Sequence, residues 1–119
     1  MKRIVVGCLL AGLLAGSTAL LAQGKQDFVL VNKTGLVIAE LYLSPVNDDK
    51  WGEDVLGKDV LKHNEKVTIT FPHKATDCMW DLKIVDEDDD DVEWEDINLC
   101  KASEITLLYE GKRPTAIIK

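Results

Sequence analysis

Carboxylates dominate the chemistry that this sequence offers. Asp86, Asp88 and Asp90 stand at alternate positions in the acidic run 86–91, the Asp-x-Asp-x-Asp opening of a calcium loop. The remainder of that loop does not follow. Its sixth position calls for Gly and holds Asp91; its twelfth calls for a bidentate Glu and holds Ile97. The flanks read as strands rather than helices, so this is not an EF-hand. Ca²⁺ also accepts irregular cages of carboxylate and carbonyl oxygens, and Asp86, Asp88 and Asp90 are the candidate ligands of such a site. No other cofactor is expected. Acid–base catalysis by these carboxylates is not expected, because an exposed cluster lacks the burial that separates two pKa values.

The alternative chemistry is recognition by charge. Residues 77–96 contain eleven acidic side chains and one lysine, Lys83, for a net charge of −10. The acidity of the chain is therefore concentrated in one segment. Repulsion within it is relieved by solvent and salt, by a cation or by a basic partner. The leading expectation is a non-enzymatic binding or interaction domain whose acidic segment contacts a cationic partner, a basic protein or peptide drawn in by long-range attraction. A basic secreted enzyme such as a lysozyme is one concrete version. The candidate contact residues are Trp51, Asp86, Asp88, Asp89, Asp90, Asp91 and Glu93. Ca²⁺ binding by the Asp-rich turn and a structural envelope role are the alternatives. The acidic balance argues against nucleic acid, whose phosphates are met by Lys and Arg.

Nucleophiles and bases are sparse. His63 and His73 lie ten residues apart beside turn sequences, which is no metal spacing. Ser44 precedes a proline and Ser103 lies in no Gly-x-Ser-x-Gly elbow. No glycine loop suited to phosphate is present. The expected catalytic set is therefore empty, and an enzyme is not expected.

Of 119 residues, the first 22 read as an export signal. Lys2 and Arg3 give a positive start, Ile4 to Leu21 carries no charge, and Leu20-Leu21-Ala22 offers a small residue at the cleavage position. The apolar run is at the lower edge of a membrane span, so an uncleaved anchor is the alternative. Cleavage removes two positive charges and leaves 12 basic and 21 acidic residues, a net charge of −9. It also removes Cys8. Cys78 and Cys100 then read as a disulfide, because an exported domain of this size gains much from a covalent staple. Residues 23–119 form one domain, periplasmic or secreted and monomeric, with no membrane span after cleavage.

The elements that must position these groups are short strands. Phe28 to Val31 is β-prone, and Asn32-Lys33-Thr34-Gly35 carries turn residues that also spell a glycosylation sequon. Leu36 to Leu43 is apolar on both faces and reads as a central strand. Trp51, Val55 and Leu56 have helical spacing ended by Gly57, a short helical insertion. Val67 to Phe71 alternates and is stopped by Pro72. Met79 to Val85 and Val92 to Leu99 flank the acidic turn. A parity change between Trp94 and Ile97 predicts a bulge near Glu95-Asp96. Trp80 and Trp94 sit at apolar strand positions, whereas Trp51 lies in the insertion, where it either plugs the end of the fold or joins a binding surface. Ile105 to Tyr109 and Ala116 to Ile118 complete about seven strands. The expected fold is all-β, a small antiparallel sandwich or barrel with one short helical insertion and a disulfide.

The series Val31-Asn32-x-Thr34-Gly35-x-x-Ile38, Leu41-Tyr42-x-Ser44-Pro45, Trp51-Gly52-x-Asp54-Val55-Leu56-Gly57, Cys78-x-x-Asp81-Leu82 and Asn98-Leu99-Cys100 resembles a group of small exported bacterial proteins, some of them labelled argininosuccinate lyase. The resemblance implies a secreted β domain with a Cys–Cys bridge and no established activity. The lyase label is rejected on size, since that enzyme resembles a large helical tetramer. The group's pattern has a shorter acidic turn with Gly. Asp88 to Asp91 replaces it here, so no cation role carries over.

Overall fold

Two sheets face each other across a core of aliphatic side chains. The computed structural model describes residues 27–71 and 76–119; residues 1–22, which read as an export signal, Cys8 among them, and Pro72 and His73 lie outside the described residues. Within them run β1 (Phe28–Lys33), β2 (Ile38–Pro45), β3 (Lys66–Ile69), β4 (Met79–Asp86), β5 (Asp91–Asn98), β6 (Glu104–Glu110) and β7 (Arg113–Ile118). One sheet has the order β3-β1-β6-β7, the other β2-β4-β5. Among the described residues the fold is all-β and sandwich-like, and no barrel closes. One pairing departs from the antiparallel expectation: β1 and β6 run parallel, Leu30 opposite Ile105. The cause is the return path. The chain re-enters this sheet beside the start of β1, where Val29 N–H donates to Ser103 O at 2.9 Å.

Alternation supplies the core. Leu30 from β1, Leu82 and Ile84 from β4, and Ile105 and Leu107 from β6 are fully buried, as period-2 patterning requires. The bulge expected in β5 is present. Trp80 pairs with Ile97 but Leu82 pairs with Trp94, so one residue is extra. Asp96 takes φ +58° there, and its N–H donates to Asp81 Oδ1 at 3.0 Å. Cys78 and Cys100 form the disulfide, with Cα atoms 5.0 Å apart.

Two expectations are corrected. The strand read as central, β2, is at the edge of its sheet. Its apolar residues on both faces reflect a bulge between Ile38 and Glu40, which brings Ile38, Leu41 and Leu43 to the same buried side. The helical insertion is a loop of turns, with Gly57 at φ +62°. It makes no helix because its backbone bonds go to β2 instead. Val55 N–H donates to Leu41 O, and Ile38 and Leu61 exchange both backbone bonds, all at 2.9 Å. Asp54 Oδ1 accepts from Leu41 N–H and Leu56 N–H, each at 3.0 Å.

The loop thus covers an edge that would otherwise invite foreign strands, and Asp54 is its clamp. Asp54→Ala leaves two amides without their acceptor and is expected to cost about 2 kcal/mol. Asp54→Asn retains an acceptor oxygen and is expected to hold most of that stability. Urea unfolding of the two variants checks this; equal losses would show that the carboxylate charge, not the pair of bonds, holds the loop.

Candidate functional site

The β4–β5 hairpin carries the acidic segment, and its tip is built by Asp86. This residue has the parity of Leu82 and Ile84, so it points inward and is 9% exposed. Its Oδ1 accepts from Asp88 N–H at 2.9 Å and Asp90 N–H at 3.0 Å. Asp86 N–H donates to Asp90 O, and Asp89 N–H to Asp86 O. Asp89 adopts φ +68°, a conformation that Asp tolerates better than most residues. The remaining tip carboxylates, Glu87, Asp88, Asp89, Asp90 and Asp91, are exposed.

The candidate residues therefore separate. Asp86 is committed to holding the turn, while Asp88 to Asp91 and Glu93 face solvent. Of the three candidate calcium ligands, only Asp88 and Asp90 lie exposed on the tip. Among the described residues, no group of three His, Cys, Asp or Glu side chains is placed to hold a metal ion. Burial raises the Tyr109 hydroxyl above its usual pKa, and the charge of Asp86 adds to the effect.

Trp51 joins the same surface by a route the sequence does not display. Lys83 points away from the core on β4, opposite Glu93 of β5 and Tyr42 of β2. Its Nζ lies 4.9 Å from the centroid of the Trp51 ring and 5.1 Å from that of Tyr42. The one lysine of the acidic segment is thus held between two aromatic faces. The Tyr42 hydroxyl donates to Glu40 Oε1. This bond, then desolvation and the charges of Glu40 and Asp54, push its pKa up to about 12. Trp51 does not plug the end of the sandwich; it lies on the outer face of the β2-β4-β5 sheet. Trp80 packs edge-on against Phe71, with centroids 5.0 Å apart. Trp94 is buried and its indole donates to Thr115 O at 2.8 Å, tying β5 to β7.

A groove of about 510 Å³ runs beside that tie, between the edges of the two sheets. Glu93, Glu95 and Asp96 line one wall and Pro114, Ala116 and Ile118 the other. Sequence reasoning missed it. The signal was Ala116-Ile117-Ile118, an apolar run without alternation; Ile117 is 50% exposed and Ile118 44%. A second hollow, about 560 Å³, lies between the covering loop and β3. The carboxylates lining both are exposed, so neither has a buried acid–base pair. His63 Nδ1 accepts from Gly35 N–H at 3.0 Å, and the buried Ser44 hydroxyl lies 2.9 Å from Lys50 O. Each tethers a turn.

Among the described residues, no helix is long and apolar enough to cross a membrane. No family model, curated protein or solved structure matches this chain.

Proposed function

We propose that this chain is an exported, non-enzymatic binding domain whose acidic hairpin engages a cationic partner. One observation carries the reading. Eleven carboxylate residues lie within 77–96, and their single lysine is taken up by the rings of Trp51 and Tyr42. An array of this kind attracts cations from a distance, and its contribution falls with ionic strength. Asp86 gives it form by fixing the tip from within, so the exposed carboxylates are presented on an ordered turn. The disulfide is compatible with an oxidising compartment, which supports export.

The test is titration of the mature, oxidised protein with two probes, lysozyme and a decalysine peptide. Binding is expected to weaken about tenfold between 50 and 200 mM salt, as rim electrostatics do when screened. Replacing Asp88 to Asp91 by Asn is expected to weaken it by at least a similar factor at low salt. Unchanged affinity in that variant overturns the reading. So does a rise in melting temperature specific to Ca²⁺ at constant ionic strength, which would assign the tip to metal binding.

A further inference from the structure

We infer that the groove between β5 and β7 receives an extended segment of the cationic partner, with basic and apolar residues in alternation, which adds to the edge of β7 as a further strand. This rests on the cationic-partner reading and gives it a place and a shape.

Among the described residues, the β6–β7 ladder leaves one edge of β7 unpaired. Lys119 N–H donates to Glu104 O at 2.9 Å and Glu104 N–H to Lys119 O at 3.2 Å, so these two form a hydrogen-bonded pair. Alternation along an antiparallel ladder then places the next such pairs at Thr106–Ile117 and Leu108–Thr115. The backbone of Ala116 and Ile118 therefore turns away from β6, toward the groove that these same residues line. Pro114 falls in the same outward set, at the one kind of ladder position where a missing N–H costs little. What faces the groove is a short row of strand donors and acceptors, available for β-augmentation.

The opposite wall of the groove is acidic. Glu93, Glu95 and Asp96 are exposed there, on the edge strand of the other sheet. A strand seated against β7 would present alternate side chains to this acidic wall and to the apolar surface at Ile118. Lys101 also lines the groove, so three carboxylates stand there against one cation, and charge complementarity selects a basic segment. A second copy of this chain is a poorer occupant. Its own β7 is flanked by Lys112, Arg113 and Lys119, which suit the wall. Antiparallel pairing about a two-fold axis perpendicular to the sheet, however, brings the second copy's β5 carboxylates to the same side as the first's. A basic segment from another protein brings no such wall.

The probes are four peptides of equal charge: an eight-residue Lys-Val repeat, the corresponding Lys-Gly repeat, and two Lys-Val repeats N-methylated on alternate residues, one along each strand edge. Titration of the mature, oxidised protein is expected to show the Lys-Val peptide binding at least tenfold tighter than Lys-Gly. One of the two N-methylated forms is expected to lose that advantage, because only one edge pairs. Amide exchange at Ala116 and Ile118 should slow on binding, and Glu93→Gln/Glu95→Gln/Asp96→Asn should weaken the Lys-Val peptide more than Asp88 to Asp91→Asn does. Equal affinity of the parent and both N-methylated peptides, still salt-sensitive and lost in the tip variant, overturns strand addition and leaves the acidic-hairpin reading standing. Absence of salt-sensitive binding by any peptide or by lysozyme overturns both. Dimerisation of the free protein with the same slowing at Ala116 and Ile118 gives the edge to a second copy and overturns the inference.

Discussion

Reduction of the Cys78–Cys100 bond is expected to lower the stability of the domain by about 3 kcal/mol and its melting midpoint by roughly 15 °C. The bond spans 22 residues of sequence and closes a loop that holds the whole β4–β5 hairpin. Cys78 precedes β4, and Cys100 lies in the 3-10 turn Leu99–Lys101 that follows β5. The ends are also joined by Leu99 N–H donating to Cys78 O at 2.8 Å. The staple thus sits at the base of the hairpin, away from the acidic tip. In the chain-entropy model it acts by limiting the unfolded ensemble. Here that limit has an electrostatic consequence. With the bond intact, the carboxylates of the loop stay near one another even when the chain unfolds. After reduction, unfolding lets them separate, which adds to the drive to unfold at low salt. The reduced protein, and equally Cys78→Ser/Cys100→Ser, should therefore gain more stability from added NaCl than the oxidised protein does. Thermal melts of both forms at several ionic strengths check this. Equal salt slopes would remove the electrostatic part, and a loss under 1 kcal/mol would show that the core holds the hairpin unaided.

Local pattern makes much of this molecule legible in its sequence. The strict alternation of β3, the paired runs around 86–91 and the parity change at Glu95-Asp96 each depend on residues close in sequence, and each has its counterpart in the fold. The two remaining cysteines made the bridge legible too. Decisions made by distant partners were not. Leu36 to Leu43 looked central because a bulge and a central strand both put apolar residues on either parity; only the seat of the covering loop distinguishes them. Trp51, Val55 and Leu56 kept helical spacing, yet β2 offered their backbone better bonds than a helix would. The same limit applied at the site. The acidic tip could be read from composition. That Asp86 turns inward, that Trp51 rests on Lys83, and that the edges of β5 and β7 enclose a groove all follow from which strands share a sheet.

Asn32 is the second position at which a single change should be felt throughout the fold. It is fully buried, and all four hydrogen-bonding positions of its side-chain amide are used. Nδ2 donates to Leu36 O at 2.8 Å and Leu61 O at 2.9 Å. Oδ1 accepts from Thr34 N–H at 2.9 Å and the Thr34 hydroxyl at 2.6 Å. The backbone of Asn32 also bonds Asn64 and Glu65. One side chain thereby fixes the turn after β1 and the end of the loop that covers β2. A glycan at this sequon would replace an Nδ2 hydrogen that is already committed to a carbonyl, so turn chemistry is what the position serves. Asn32→Ala takes the amide donor from Leu36 O, leaves the buried carbonyl of Leu61 with the Ile38 N–H alone and loosens the Thr34 turn, and is expected to cost about 3 kcal/mol. Asn32→Asp keeps the shape but sets carboxylate oxygens against two carbonyls, so its loss near neutral pH should be at least as large. Its pH dependence tells the two apart. Burial against carbonyl oxygens raises the folded-state pKa of an Asp above its unfolded value, so the protonated form, which regains a donor, is favoured in the fold. That contribution is fully present below the unfolded pKa and is lost as pH rises through the folded one. The deficit of Asn32→Asp relative to the parent should therefore shrink on acidification, while that of Asn32→Ala stays constant. Urea unfolding of all three proteins between pH 4 and 7 measures both. Parallel deficits across that range would mean that the position needs volume rather than two donors facing Leu36 and Leu61.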